Sequence, residues 1–144
     1  MTSAYEIYGL VPGIWLEDAR HKLALLGNVV ELERLPDDPY LELLFDGQPN
    51  DASFCSVLVW RQTSKVREVD GDVLLKNGEV VLRVGDDVES AKSLMSIDRH
   101  VRTKGREFLG LCVGSIGNST LDLVVMVDEG RVSNIGLALD AYRP

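Results

Sequence analysis

The sequence predicts an α+β fold: antiparallel sheet built from hairpins, carrying two short amphipathic helices. Three observations predict it. Most of the chain breaks into short segments of period-two alternation separated by turn residues. Two stretches instead place apolar residues at helical spacing. Each of those two stretches opens after a glycine, and the second start repeats the first 72 residues further on.

The first helix follows Pro12-Gly13. Leu16, Ala19, Leu23 and Leu26 fall on one face of a 3.6-residue period. Glu17 and Asp18 sit in its first turn and Arg20 and Lys22 later, the order the helix dipole favours. Gly27 is placed to end it in a left-handed conformation. Strands follow at 29–35, 40–45, 56–62 and 65–69. Pro36-Asp37-Asp38-Pro39 separates the first two, because two prolines cannot continue a ladder. Residues 48–53 read as a polar loop.

The clearest turn is Asn77-Gly78, between Val73-Leu74-Leu75 and Val80-Val81-Leu82. Asn-Gly supplies the two positive φ angles of a type I′ turn, whose twist matches that of the strands. A second helix opens at Gly85-Asp86-Asp87, with one of the aspartates as N-cap. Its apolar stripe is Val88, Ala91, Leu94 and Met95. Residues 98–106 are basic and polar and read as a solvated loop. Strands are expected at 108–113, 120–127 and 131–139, the last two joined by Asp128-Glu129-Gly130, and the tail 140–144 as loose.

The two helix starts read Gly13-Ile-Trp-Leu-Glu-Asp-Ala-Arg20 and Gly85-Asp-Asp-Val-Glu-Ser-Ala-Lys92. Gly, Glu and Ala coincide, Leu16 matches Val88, and Arg20 matches Lys92. Two readings stay open. These are generic amphipathic starts, or one domain spans 1–144 as two related subdomains, 1–72 and 73–144. Beyond the helix the copies do not align without gaps.

The run from Val66 to Ala91, with its strand, Gly-Asp pair and amphipathic helix, resembles the units of the β-lactamase-inhibitor-protein-like superfamily. That group includes the small outer-membrane assembly lipoproteins of the SmpA type. In this resemblance 13–27 and 85–95 are the helix parts, and Val127-Asp-Glu-Gly-Arg-Val-Ser-Asn-Ile-Gly-Leu is the closing hairpin. The resemblance implies a fold and a habit of binding proteins, and places no functional residue. The chain departs from it in having no lipobox Cys, and the second helix lacks a terminal glycine matching Gly27.

Composition narrows the function classes. The chain has 144 residues, 45% of them apolar, enough for a core that needs no metal or disulfide. It carries 15 Lys+Arg against 23 Asp+Glu, a net charge of −8. That balance argues against a nucleic-acid partner and against an anionic membrane surface. The acid surplus lies almost wholly before residue 73. No apolar run is long enough to span a bilayer and no secretory signal is visible, so cytoplasmic residence is the expectation. Cys55 and Cys112 stand alone in apolar runs and read as reduced core residues.

No catalytic, metal or cofactor constellation emerges. His21 and His100 are isolated, and His21 lacks a ligand-type partner one turn on. The pairs Asp37-Asp38 and Asp86-Asp87 read as a turn and a cap. Asp46-Gly-Gln-Pro-Asn-Asp51 lacks the spacing of a calcium loop. The glycines at 105, 110, 114 and 117 precede no Lys-Ser/Thr, so they form no phosphate loop. Gly110 and Gly114 mark bulges or close backbone approach instead.

Candidate protein-contact residues are the aromatics Tyr5, Tyr8, Trp15 and Tyr40, since Tyr and Trp are enriched at interface hot spots. The basic cluster supplies Arg99, Arg102, Lys104 and Arg106, suited to an acidic partner or to the acidic half of a second copy. Trp60 reads as core. The function expected is a non-catalytic protein-binding module, inhibitor- or immunity-like or regulatory. Two alternatives remain: a secretion-chaperone-like homodimer, and a small ligand-binding domain or enzyme whose pocket the sequence does not reveal.

Overall fold

The computed structural model describes residues 5–33, 37–46, 54–94 and 99–141. In chain order these form β1 (Tyr5–Glu6), α1 (Leu16–Ala24), β2 (Val30–Glu33), β3 (Tyr40–Asp46), β4 (Phe54–Trp60) and β5 (Lys65–Gly71). There follow β6 (Val73–Lys76), β7 (Glu79–Arg83), α2 (Val88–Leu94), β8 (Arg99–Thr103), β9 (Arg106–Ile116), β10 (Ser119–Asp128) and β11 (Arg131–Leu139). The α+β class and its antiparallel hairpins are as the sequence predicts. The expected loop over 48–53, Met95 and Gly47 lie outside the described residues.

One eight-stranded antiparallel sheet dominates, in the order β2-β3-β4-β5-β11-β10-β9-β8. The strands after α1 run as a meander to β5, and those after α2 run as a meander to β11. The two meanders meet where β5 pairs β11, with Val69 opposite Leu137, Asp70 opposite Gly136 and Gly71 opposite Ile135. A small sheet of order β1-β6-β7 completes the architecture.

Among the described residues, both helices and the small sheet lie on one face. Alternation turns Leu41, Leu43 and Phe45 of β3 inward, with Cys55, Val57 and Val59 of β4 and Leu123, Val125, Ile135 and Leu137 of β10 and β11. These join one core cluster with Ala19 and Leu23 of α1, Ala91 of α2, and Tyr5, Leu74 and Leu82 of the small sheet. Burying a side chain such as Leu23 or Leu43 is worth about 1.5–3 kcal/mol, which holds helices too short to be stable alone.

Each helix is clamped at its start by a hairpin. Gly13 N–H donates to Val66 O (2.8 Å), Val66 N–H to Ile14 O (2.8 Å) and Leu16 N–H to Ser64 O (2.7 Å). At α2, Gly85 N–H donates to Val132 O (2.8 Å), Val132 N–H to Asp86 O (2.8 Å) and Val88 N–H to Gly130 O (2.9 Å). Both glycines have positive φ, 99° and 97°, which turns the chain from extended backbone into the clamp. Asp87 Oδ1 accepts from Glu89 N–H at 2.9 Å, so of the two aspartates Asp87 is the cap. Trp15 occupies the corresponding position of α1 and makes no side-chain cap bond.

Several expectations are corrected. Residues 99–106 form an edge strand and a hairpin rather than a loop, because β9 is long enough to template β8. Gly27 has φ 154° rather than the left-handed helical value, and α1 closes through Leu26 N–H (2.9 Å) and Gly27 N–H (3.3 Å), both on Leu23 O. Asp140 is not loose: its N–H donates to Thr120 O and its carboxylate accepts from Thr120 N–H, both at 2.9 Å. The bulge in β9 falls beside Gly114, whereas Gly110 pairs in register with Val124. The Asn77-Gly78 turn has φ 52° and 82°, as a type I′ hairpin requires.

Gly71 sits where β5 reaches its last pairing with β11. A Cβ there would lie 2.5 Å from Ile7 Cγ2 in the core and 3.2 Å from the Phe54 carbonyl. Gly71→Ala is therefore expected to destabilise the fold by about 1–3 kcal/mol, read as a lower urea midpoint at unchanged slope.

Candidate functional site

The second face of the eight-stranded sheet is the candidate site. Residues alternating with the core set point to it, and no described helix packs on it. One transverse row runs Leu32, Glu42, Leu58, Glu68, Ala138 across five strands. The next runs Val30, Leu44, Ser56, Asp70, Gly136, Val124. Exposed apolar side chains stand at its margins: Val30 (53%), Leu32 (41%), Phe54 (37%) and Val101 (47%). This face is therefore apolar at its edges and ionisable at its centre.

The aromatics stack on it. Tyr40 and Trp60 lie parallel, interplanar angle 4°, with ring centroids 6.3 Å apart. The Arg67 guanidinium sits 4.5 Å from the centroid of the Trp60 ring. Arg67 is the extra residue where the β4–β5 register shifts, which puts it beside Glu68 on the same face. Trp60 is thus a half-buried residue of the open face and not the core residue the sequence led us to expect.

Along the middle strands lie Glu42, Glu68 and Asp70, and the first row continues past Ala138 to Asp122, which is 1% exposed. Asp70 reaches over Gly136, where a Cβ would come within 2.5 Å of Asp70 Oδ1, so only glycine admits this placement. Burial pushes the Asp70 carboxyl up to about 7, the nearby charges of Glu68 and Glu42 add to the rise, and a hydrogen bond with Asn134 opposes it. Burial likewise raises Glu68 above the ordinary range, with the Arg67 charge opposing. Glu42 accepts a 3.0 Å bond from the Ser56 hydroxyl.

Next to Glu68 is a shallow cavity of about 260 Å³. Phe108, Val124 and Ala138 form its apolar wall, and Arg67, Glu68 and Asp140 its polar rim.

The expected contact residues scatter over several surfaces. Tyr5 is 7% exposed and belongs to the core, out of a partner's reach. Tyr8 donates its hydroxyl hydrogen bond to Asp72 Oδ1. Trp15 is 55% exposed, with the Lys65 ammonium 4.8 Å from its ring centroid, at the α1 hairpin clamp. Of the four aromatics only Tyr40 joins the open face. Arg99 lies in edge strand β8. Arg102 pairs with Glu107 (3.1 Å), Arg106 pairs with Asp128 (2.8 Å), and Lys104 is exposed in the β8–β9 turn. Such exposed pairs contribute about 0–1 kcal/mol.

Sequence reasoning missed Leu58, Trp60, Arg67, Glu68, Asp70 and Phe108 as site residues. A signal existed: Arg67, Glu68 and Asp70 interrupt a run whose Val66, Val69 and Gly71 are buried, the mark of a strand with one polar face. Cys112 is also corrected, being exposed, while Cys55 is buried and its thiol is pushed by burial up to about 12. Among the described residues no group of His, Cys, Asp and Glu has the arrangement to hold a metal. None of their helices is long and apolar enough to cross a membrane.

Two outcomes follow from these environments. Asp70 is raised above its ordinary 3.8, so between about pH 4 and 7 the folded protein holds more protons than the unfolded chain. Its contribution to stability thus falls as pH rises through that window. Asp70→Asn is expected to remove this loss, raising unfolding free energy at pH 8 by on the order of 1 kcal/mol and flattening the profile across the window. Urea titrations at pH 5 and 8 measure it. At pH 8 an aromatic disulfide reagent is expected to titrate one thiol, Cys112, in the native state, and Cys55 only after unfolding.

Compared with known proteins, the chain matches no family model, no curated protein and no solved structure.

Proposed function

We propose that the chain is a non-catalytic protein-binding module, inhibitor- or immunity-like or regulatory, acting in the cytoplasm, and that its partner docks on the open face of the eight-stranded sheet. One observation carries the reading. Among the described residues both helices and the small sheet lie on one side of the sheet, and the other side presents Val30, Leu32 and Phe54 along its margins and the Tyr40–Trp60 stack at one end. Exposed apolar and aromatic side chains gathered on one face of an otherwise charged chain are the usual mark of an interaction site.

The proposal extends to the architecture. The chain is two related halves, each a helix followed by four antiparallel strands, joined edge to edge. Support comes from the matching bonds at the two helix starts and from the matching bridges Trp15–Lys65 and Asp87–Arg131. The β5–β11 register agrees with it. Carrying Val66 onto Val132 turns the pair Val69–Leu137 into Gly71–Ile135 and leaves Asp70–Gly136 on itself, as a twofold relation between halves requires. Helices correspond at an offset of 72 and the β5 and β11 strands at 66, which accounts for the failure of gap-free alignment. We keep the β-lactamase-inhibitor-protein-like superfamily as the family proposal, since two helix-plus-hairpin halves are what that resemblance implies.

The test is capture from native lysate with wild-type chain and with a Leu32→Lys/Leu58→Lys variant, light scattering reporting self-association. A stoichiometric partner held by the wild type and at least tenfold weaker on the variant is expected. A chain with no stoichiometric partner and no self-association, or one whose partner ignores the substitutions, would sink the reading.

A further inference from the structure

We infer that the cavity beside Glu68 is the anchor site of this surface, and that it receives an Arg or Lys side chain from a protein partner whose neighbouring residues are apolar. The inference rests on the open-face reading and supplies the partner's chemistry. A long cationic side chain has an apolar stem and a charged head. The cavity offers both environments in the matching order. Phe108, Val124 and Ala138 form a wall against which a stem can pack. Glu68 stands at the rim, with Asp140 also lining the cavity.

Charge selects the sign of the head group. Glu68 and Glu42 both lie close enough to Asp70 to act on it by charge, and the one cation among the described residues lining the cavity, Arg67, is engaged on the Trp60 ring. Among the described residues Glu68 has no hydrogen-bond or ion-pair partner; burial disfavours its ionised form and the Arg67 charge opposes that, so it is a half-buried carboxylate poorly compensated in the free protein. A guanidinium or ammonium would stabilise that ionised form. An anionic or wholly apolar anchor would leave it in a worse environment than water. The chain's net charge of −8 favours the same partner at long range.

The test selects peptides from a random dodecapeptide phage library on the full-length immobilised chain. Binding of the enriched pool is then measured on Leu58→Lys and Glu68→Gln variants, each first shown to be folded by circular dichroism. Val124→Gln replaces Leu58→Lys if that variant does not fold, and Glu68→Ala replaces Glu68→Gln likewise. The expected pool carries Arg or Lys beside aromatic or aliphatic residues, loses binding on Leu58→Lys, and binds Glu68→Gln at least tenfold more weakly. A pool that needs the open face but lacks a basic preference, or binds Glu68→Gln as well as wild type, overturns the anchor and leaves the open-face reading standing. No pool sensitive to the Leu58 substitution overturns both.

Discussion

The pairing of β5 with β11 is the constraint on which the rest depends. It is where the meander that follows α1 meets the meander that follows α2. Without it the molecule would have two four-stranded sheets with two extra edges, and edges are sites of uncontrolled association. The junction places tight demands on side-chain size. Gly71 lets Ile7 and the Phe54 backbone close on one side, and Gly136 lets the Asp70 carboxylate lie across on the other. Val69 and Leu137 between them carry the core through the seam.

That seam also explains the electrostatics of the open face. Central strands of an antiparallel sheet are flanked on both sides, so a carboxylate there loses water even though its face is uncovered. Asp70 and Glu68 are raised for this reason, whereas Glu31 and Glu33 on edge strand β2 remain exposed and meet Arg20 and Arg61. The two ends of the sheet differ in charge for a related reason. Edge strands are blunted by charged residues, acidic on β2 and basic on β8. The result is a surface whose margins discourage strand addition and whose middle holds its recognition chemistry.

Much of the fold was legible from local rules. Asn77-Gly78 favours the two positive φ angles of its turn, and Gly130 supplies one of the two at Glu129-Gly130, so turn residues mark both hairpins. The 131–139 strand was bounded correctly because alternation and a turn agreed there. Local rules failed where a neighbour decides the outcome. Residues 99–103 carry two arginines and a histidine and show little strand preference, yet β9 provides a ladder and they pair with it. Trp60 looks like core by hydrophobicity, but its parity with Val57 and Val59 turns it outward. Parity depends on which residues of the strand are buried, and that is set across the sheet. The candidate site suffered most, because its residues come from β3, β4, β5, β9, β10 and β11 and no local spacing links them.

By itself, then, the sequence determined the α+β class, the two amphipathic helices after Gly13 and Gly85, the tight turns, and the acidic balance of the chain. These follow from backbone preference and from periodicity, which act over a few residues. Only the tertiary structure decided that the two meanders join edge to edge, that helices and small sheet lie on one face, and that Glu68 and Phe108 meet on the other. Those outcomes depend on strand register across long loops. There a shift of one residue exchanges the faces, and no pattern within a single segment records the choice.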